Sequence, residues 1–150
     1  PAGDVYQAGT LSGNPLATAA ANATLGILEK DGADGTYGTD GVYARLESLG
    51  ADLEAGLAQA AAQAGVPVTI NRVGSLLSCF FTDRPMRNFD DVRATDIGAF
   101  KKFFAAMLDR GVYLAPSAYE AMFVSLAHTK QDIERTIEAA CESFRSATRG

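Results

Sequence analysis

Residues 66–81 read VPVTINRVGSLLSCFF, and this segment decides the fold class. From Val66 to Ile70 every second residue is apolar, which is typical of a strand with one buried face. After Gly74, the run Leu76–Phe81 is apolar on both faces and predicts a central strand. Two strands this close together in the chain predict a small sheet.

Helical patterns flank this segment. An apolar stripe at helical spacing predicts a helix from about Val42 to Ala64, which Gly65 ends. The stripe consists of Leu46, Leu49, Leu53, Leu57, Ala60 and Ala64. A further helix is predicted to begin at Thr95 or Asp96 and to end at Gly111. Its apolar side consists of Ile97, Phe100, Phe104, Met107 and Leu108.

The C-terminal residues continue this alternation of helices and strands. Residues 82–95 are predicted to form a polar loop. Two short strand candidates follow the second helix, at Val112–Leu114 and at Met122–Val124. The last helix begins at Thr129, which forms a near capping box with Asp132. Its apolar side consists of Ile133, Ile137, Ala140, Cys141 and Phe144.

The order of these elements predicts the fold class. A helix, two strands, a helix, two strands and a helix are typical of an α+β domain. We therefore expect a small, mostly antiparallel sheet covered by helices.

The preceding residues predict a connecting helix and a linker. Asn14 is a preferred N-cap, and Pro15 fits the first helical position because its missing N–H needs no partner there. Apolar residues at helical spacing extend this helix to about Lys30. Residues 31–41 are rich in Gly and Asp and predict a linker. We therefore divide the chain into residues 1–41 and a C-terminal α+β domain of residues 42–150.

Composition argues against several classes of protein. Of the 150 residues, 47% are hydrophobic and 21% are charged, which is typical of globular rather than disordered chains. The net charge of −5 argues against nucleic-acid or polybasic membrane binding, because both need a positive surface. No apolar run approaches the roughly 18 residues of a membrane span, and no secretory signal opens the sequence. These features predict a cytoplasmic protein.

Cysteine and histidine usage argues against disulfide and metal chemistry. Cys79 and Cys141 lie in segments predicted to be regular, and we expect both to be reduced thiols. His128 precedes a helix start and is expected to contribute to a turn. One histidine and two distant cysteines do not have the spacing of a zinc site.

One segment has the local properties of an anion-binding loop. In residues 9–15, GTLSGNP, glycines allow close backbone approach, two hydroxyls can donate, and a helix begins directly afterwards. Such a place favours a phosphate group. An ordinary capped helix after a flexible loop has the same local pattern. The segment is not a P-loop, because no Gly-Lys-Ser/Thr ends it.

The residues around this segment resemble those of a known protein family. Residues 5–17, VYQAGTLSGNPLA, resemble the segment that leads out of the large domain in class III pyridoxal-phosphate-dependent aminotransferases. The family shares the core of residues 9–15, whereas the preceding Tyr-Gln-Ala is more typical of its aminomutase branch. Four later stretches also resemble the family: Phe80–Thr82, Phe100–Phe104, Gly111–Glu120 and Ser125–Thr129. The resemblance covers only the C-terminal part of family members, which implies a piece of a longer enzyme of fold type I.

The resemblance implies roles for four residues. Gly9 and Thr10 match the pair that hydrogen-bonds the phosphate of pyridoxal 5′-phosphate, and in the family's homodimer this loop reaches the partner subunit's site. Tyr6 lies in the same lead-in and would face the cofactor cleft, where substrate binds. Glu120 matches an acidic residue near the substrate's amino groups. From the sequence alone, Glu120 fits a solvated turn carboxylate equally well.

The resemblance also implies an activity. The aminomutase branch moves an amino group between adjacent carbons of a small amino-aldehyde substrate in tetrapyrrole biosynthesis. The cofactor needs a partly desolvated lysine. None of the four lysines resembles the family's cofactor lysine: Lys30, Lys101, Lys102 and Lys130. We therefore expect no catalytic residue in this chain, no cofactor bound to it alone and no activity of it alone.

Two alternatives to the aminomutase remain open from the sequence. Another class III aminotransferase would share the core of residues 9–15 but exchange nitrogen with a second keto acid. A free-standing, non-enzymatic α+β interaction module would carry no cofactor.

Overall fold

The computed structural model describes residues 8–30 and 41–147. The chain divides into two units, residues 1–42 and residues 43–150. The predicted linker falls almost entirely on residues 31–40, outside the described residues. The helices and strands, in chain order, are α1 (Pro15–Glu29), α2 (Gly41–Ala64), β1 (Thr69–Val73), β2 (Leu76–Phe80), α3 (Phe89–Arg93), α4 (Ile97–Leu108), β3 (Met122–Phe123) and α5 (Lys130–Ala147).

The sheet has three antiparallel strands in the order β1-β2-β3. The α+β prediction is confirmed, and β2 is the central strand as predicted. Leu77 and Cys79 of β2 are buried in one apolar core with side chains of α2, α4 and α5. Leu76 and Phe80 point to the other face, where Leu76 is 43% exposed and Phe80 is 8% exposed, so the second apolar face of β2 is only partly buried. Val73 and Phe123 share the face of Leu76 and are also exposed, as an antiparallel sheet allows on the face away from the core.

Aromatic side chains form the centre of the core. Phe103 of α4 stacks on Phe144 of α5 with ring centroids 4.4 Å apart. Phe81 packs against both rings at 5.5 and 5.9 Å. These contacts join the end of β2 to two helices that are far apart in the chain.

The buried side of α4 differs from the predicted stripe. Its buried residues are Phe100, Phe103, Ala106 and Met107. Leu108 is 47% exposed and Phe104 is only partly buried, whereas Phe103 is 2% exposed. Both faces of this helix are apolar, so the sequence pattern does not show which face packs against α5.

The first predicted strand begins too early. Val66 is buried, but its N–H donates to the carbonyl of Ala61 at 3.0 Å and closes the end of α2. Gly65, with φ of 67°, precedes it, which is the arrangement of a Schellman motif. Val66 is therefore the apolar residue of a helix cap, and β1 begins at Thr69.

Residues Val112–Leu114 are described by the structure but do not form the predicted strand. As at Val66, the apolar residue after the glycine belongs to a helix cap. The N–H of Val112 donates to the carbonyl of Met107 at 3.0 Å, after Gly111 with φ of 80°. Residues 112–121 form no regular strand. The neighbouring candidate at Met122–Val124 is confirmed as β3, which is one residue shorter.

Residues 82–95 contain a short helix that the prediction of a polar loop missed. This helix, α3, is N-capped by Asn88, whose side chain accepts from the Asp91 N–H at 3.0 Å. Asp90 and Asp91 lie in its first turn, where negative charge is favourable. An Asn followed by two acidic residues was a signal that could have identified it.

The predicted starts of the three long helices other than α2 are confirmed by their caps. The Asn14 side chain accepts from the N–H groups of Leu16 and Ala17, and Asp96 accepts from Ala99 at 2.9 Å. At α5, Thr129 and Asp132 exchange hydrogen bonds of 2.8 and 3.2 Å as a capping box. Capping interactions span at most four residues, which is why the sequence predicts them well.

Gly50 lies where α2 meets the turn between β1 and β2. A Cβ at this position would overlap the carbonyl oxygen of Gly74. The same oxygen accepts from the Arg72 guanidinium at 2.8 Å. Arg72 is also ion-paired with Glu47 and Glu54 of α2, at 2.8 and 2.7 Å. The turn is therefore fixed against the helix and cannot move away from an added methyl group.

We expect Gly50→Ala to lower the free energy of unfolding by about 1–3 kcal/mol, because the backbone must shift to relieve the overlap. In an exposed helix the same change would be favourable by about 1 kcal/mol. Gly26→Ala on α1 is the matched control, since an added Cβ there meets nothing within 4 Å. Urea denaturation followed by circular dichroism measures both variants. Equal unfolding midpoints for the two variants would contradict the close approach.

Candidate functional site

The loop before α1 consists of two consecutive turns. The carbonyl of Gly9 accepts from the Ser12 N–H at 2.8 Å, and the carbonyl of Leu11 accepts from the Asn14 N–H at 3.0 Å. Gly13 adopts φ of 77°, which favours glycine. Gly9 and Thr10 are exposed on this loop. Tyr6, the third residue assigned here from the sequence, lies outside the described residues.

Thr10 and Ser12 are the two hydroxyl residues of this loop, and both are exposed. A Cβ at Gly9 would lie 2.5 Å from Ser12 Oγ, so the missing side chain at Gly9 makes room for that hydroxyl. Within residues 8–30 and 41–147, no hydrogen bond engages the Thr10 hydroxyl. The Asn14 side chain already accepts from Leu16 and Ala17, the first free N–H groups of α1. The donors left for an anion therefore belong to the loop rather than to the helix terminus.

Glu120 lies beside a cavity of about 350 Å³ within the second unit. The cavity wall is mostly apolar, with Phe100, Met107 and Leu114 among its residues. Its polar side chains are those of Tyr113, Ser117, Glu120, His128 and Thr136. A mostly apolar cavity of this size with a few polar groups is typical of small-molecule sites. The Glu120 residue is exposed, so its carboxylate is accessible to solvent and to a ligand.

The backbone around Glu120 is held by a tight turn. The Glu120 N–H donates to the Ser117 carbonyl at 3.1 Å, and the Tyr119 N–H donates to Ser117 Oγ at 3.2 Å. The Ser78 hydroxyl of β2 lies 3.5 Å from the Glu120 carbonyl oxygen. The sequence predicts a turn at residues 116–120, and the structure shows it. The sequence does not predict that the Ser117 hydroxyl accepts from the backbone of this turn.

His128 stabilises a turn at the start of α5, as predicted. Its Nδ1 accepts from the Ser125 N–H at 3.0 Å and lies 3.1 Å from Ser125 Oγ. Because Nδ1 accepts this bond, the neutral ring carries its proton on Nε2. His128 also lines the cavity, a position that the sequence did not indicate.

Neither the thiols nor the lysine amines have the surroundings of an activated nucleophile. Burial raises the pKa of the Cys79 thiol to about 12, so this thiol is a poor nucleophile at neutral pH. Cys79 and Cys141 are both free. All four lysines are exposed: Lys30, Lys101, Lys102 and Lys130. In the described part of the chain, no three acidic, histidine or cysteine side chains come together as a potential metal site.

The residues assigned from the sequence are distributed over both units. Gly9 and Thr10 belong to residues 1–42, and Glu120 belongs to residues 43–150. The first unit therefore carries an exposed loop with Gly9 and Thr10, and the second carries a carboxylate beside a cavity.

Family comparison identifies the class of protein. The model of the family Aminotransferase class-III matches residues 1–147, and the chain belongs to this family. This membership argues against the alternative of an unrelated interaction module.

Curated relatives narrow the resemblance. The chain is 53% identical over 139 residues to glutamate-1-semialdehyde 2,1-aminomutase of Thermus thermophilus, covering 93% of this chain and 31% of that protein. It is 54% identical over 145 residues to the protein of the same name from Heliobacterium modesticaldum, covering 97% of this chain and 31% of that protein. The chain thus spans about a third of the length of these relatives.

Solved structures agree with the fold. An omega-transaminase from Sphaerobacter thermophilus matches with a TM-score of 0.70 and 20% identity, covering 97% of this chain and 31% of that one. The FumI protein of Sphingopyxis sp. MTA144, solved in its PLP internal aldimine form, matches with a TM-score of 0.65 and 28% identity. That match covers 94% of this chain and 29% of FumI.

Among the described helices, none is long and apolar enough to cross a membrane.

Proposed function

We propose that this chain supplies the phosphate-contacting loop and the C-terminal α+β domain of a cytoplasmic, pyridoxal-phosphate-dependent aminomutase. The enzyme would convert glutamate-1-semialdehyde to 5-aminolaevulinate in tetrapyrrole biosynthesis. The observation that carries this proposal is the identity of about half of all residues to proteins named glutamate-1-semialdehyde 2,1-aminomutase. This identity is well above the 28% shared with FumI.

The loop around Gly9 and Thr10 would hold the cofactor phosphate. Bound pyridoxal phosphate supplies the electron sink and nitrogen carrier that amino transfer requires. The exposed Thr10 hydroxyl would donate to a phosphate oxygen, and glycine at position 9 lets the backbone approach it. Charge-assisted hydrogen bonds of this kind are shorter and stronger than neutral ones. Tyr6 would face the same cleft.

Glu120 would contact the amino groups of the substrate. Its carboxylate is accessible, while the turn around Ser117 holds its backbone. An accessible carboxylate on a held backbone can attract a substrate ammonium group without a large ordering cost. The apolar cavity wall beside it would exclude water from one side of the bound substrate.

We propose a homodimer in which the loop of residues 9–13 reaches the partner subunit's site. No residue of α1 is buried. Leu16, Leu25 and Ile27 are 81%, 57% and 59% exposed on this helix. Large apolar residues exposed on both sides of a helix that buries none of its residues are typical of an interaction site, which supports a role of α1 in assembly.

The reaction stoichiometry tests the proposed function. We expect the full-length protein that carries this chain to consume glutamate-1-semialdehyde and to release 5-aminolaevulinate without any added amino acceptor. An aminomutase returns nitrogen to its own substrate, whereas an aminotransferase needs a second keto acid. Turnover that depends on an added keto acid would favour another class III aminotransferase. Absence of turnover under either condition would contradict both activities.

A further inference from the structure

Two aromatic rings connect α3 to the turn that carries Glu120. Phe89, the first residue of α3, packs against Tyr119 with ring centroids 5.8 Å apart and an interplanar angle of 56°. Tyr119 directly precedes Glu120. The two rings remain 62% and 51% exposed, so this pair adds little to the buried core. An exposed aromatic pair at this place acts mainly on the geometry of the segments that it joins.

Phe89 is itself held by local hydrogen bonds. The Asn88 side chain caps α3 by accepting from the Asp91 N–H at 3.0 Å. Asp91 also accepts from the Arg87 N–H at 3.0 Å, which fixes the chain entering the helix. After α3, the Asp96 N–H donates to the Phe81 carbonyl at 3.1 Å and ties the segment back to the end of β2. The Phe89 ring is therefore presented from an ordered support.

Ala118, directly before Tyr119, is buried in the apolar core and anchors the turn there, whereas Tyr119 and Glu120 lie beyond this anchor and are exposed. Residues 112–121 form no regular strand. The turn at Ser117 holds Glu120 only to its own segment, and the bond from Ser78 is long at 3.5 Å. The Phe89–Tyr119 contact is thus a tertiary tie between the Glu120 turn and another part of the domain.

We propose that Phe89 is a positioning residue, which sets the place of the Glu120 carboxylate through Tyr119. The effect of Phe89 on catalysis depends on the function proposed above for Glu120. Phe89 itself does not touch substrate in this scheme. Loss of its ring loosens Tyr119 and Glu120, which lie beyond the buried Ala118, and lets the carboxylate sample positions in which it cannot reach the substrate's amino groups.

A double-mutant cycle in the full-length enzyme tests whether Phe89 affects substrate binding through Glu120. We expect Glu120→Gln to raise KM for glutamate-1-semialdehyde about tenfold and Phe89→Ala to raise it about fivefold, with kcat less affected. In the Glu120→Gln background, Phe89→Ala should change KM by less than about twofold, because its effect acts through Glu120. Phe89→Tyr keeps an aromatic ring at this position and should therefore leave KM close to the value of the unchanged enzyme. Independent effects of the two changes on KM would overturn the proposal, since a merely structural role is additive.

Amide exchange of the 150-residue chain tests the positioning directly, without any activity. We expect Phe89→Ala to speed exchange at Tyr119 and Glu120 about tenfold. The Val124 amide, which donates to Ser75 at 2.9 Å, should not change. Unchanged exchange at Tyr119 and Glu120 overturns the proposal, whatever the enzyme assay shows.

The matched control is Tyr113→Ala. Tyr113 is 73% exposed and lines the same cavity as Glu120, but its ring packs at 6.0 Å on the partly buried Phe104 rather than on Tyr119. Its removal should leave exchange at Tyr119 and Glu120 unchanged. If the protein lacks aminomutase turnover, the proposed function fails, and the exchange experiment still decides whether Phe89 positions the Glu120 turn.

Discussion

Phe103→Ala is expected to lower the free energy of unfolding of the domain by about 3–5 kcal/mol, the range for a buried Phe truncated to Ala. Phe103 is 2% exposed and stacks on Phe144 at 4.4 Å, while Phe81 packs against both rings. Truncation therefore leaves a cavity lined by two rings that are anchored in different elements. Urea denaturation measures this loss, with the slope of the transition as a check on two-state behaviour.

Phe123→Ala is the control for this prediction. Phe123 is 66% exposed on β3, so its truncation removes little buried surface. We expect a loss of less than about 1 kcal/mol. In the double variant with Phe144→Ala, the two core losses should not add, because both changes remove the same ring contact. Similar stabilities of Phe103→Ala and Phe123→Ala would show that the aromatic cluster is not the centre of the core.

Thr10→Val is expected to weaken binding of pyridoxal phosphate to the full-length protein by about tenfold or more. The change keeps the shape of the side chain but removes the only donor that it can offer, and a hydrogen bond to a charged group contributes about 1.5–3 kcal/mol. Thr10→Ser keeps the hydroxyl and should retain most of the affinity. A fluorescence titration of the apoprotein with pyridoxal phosphate gives the Kd.

Thr24→Val is the matched control for Thr10→Val. Thr24 is exposed on α1, and its hydroxyl bonds to the carbonyl of Ala20 in the same helix at 2.9 Å. The same change of side chain there should leave the Kd unaltered. Equal affinities of the Thr10→Val protein and the unchanged protein would remove Thr10 from the phosphate site.

The sequence predicts those parts of the fold that depend on neighbouring residues. Asn14, Asp96 and Thr129 mark helix starts because a cap bonds to N–H groups two or three residues away. The central strand β2 is predicted because its apolar run is long enough to exclude a loop. The segment of residues 9–15 carries the family resemblance, which the match over residues 1–147 confirms.

Errors arise where two local interpretations compete. Val66 and Val112 each follow a glycine and precede other apolar residues, so they fit a strand start and a helix cap equally well. The structure places both in caps, because their N–H groups complete bonds to the ends of α2 and α4. An apolar residue is buried both at the start of a strand and in a helix cap, so its hydrophobicity does not distinguish the two structures.

The sequence by itself determined the α+β class, the central strand β2 and the N-caps of α1, α4 and α5. Only the tertiary structure decided that Phe103 rather than Leu108 faces α5, that Gly50 must lack a side chain, and that Phe89 meets Tyr119. Hydrogen bonds of caps and turns are closed within a few residues, so a linear pattern contains them. Ring packing and close backbone approach join residues tens of positions apart, and they exist only once the chain has folded.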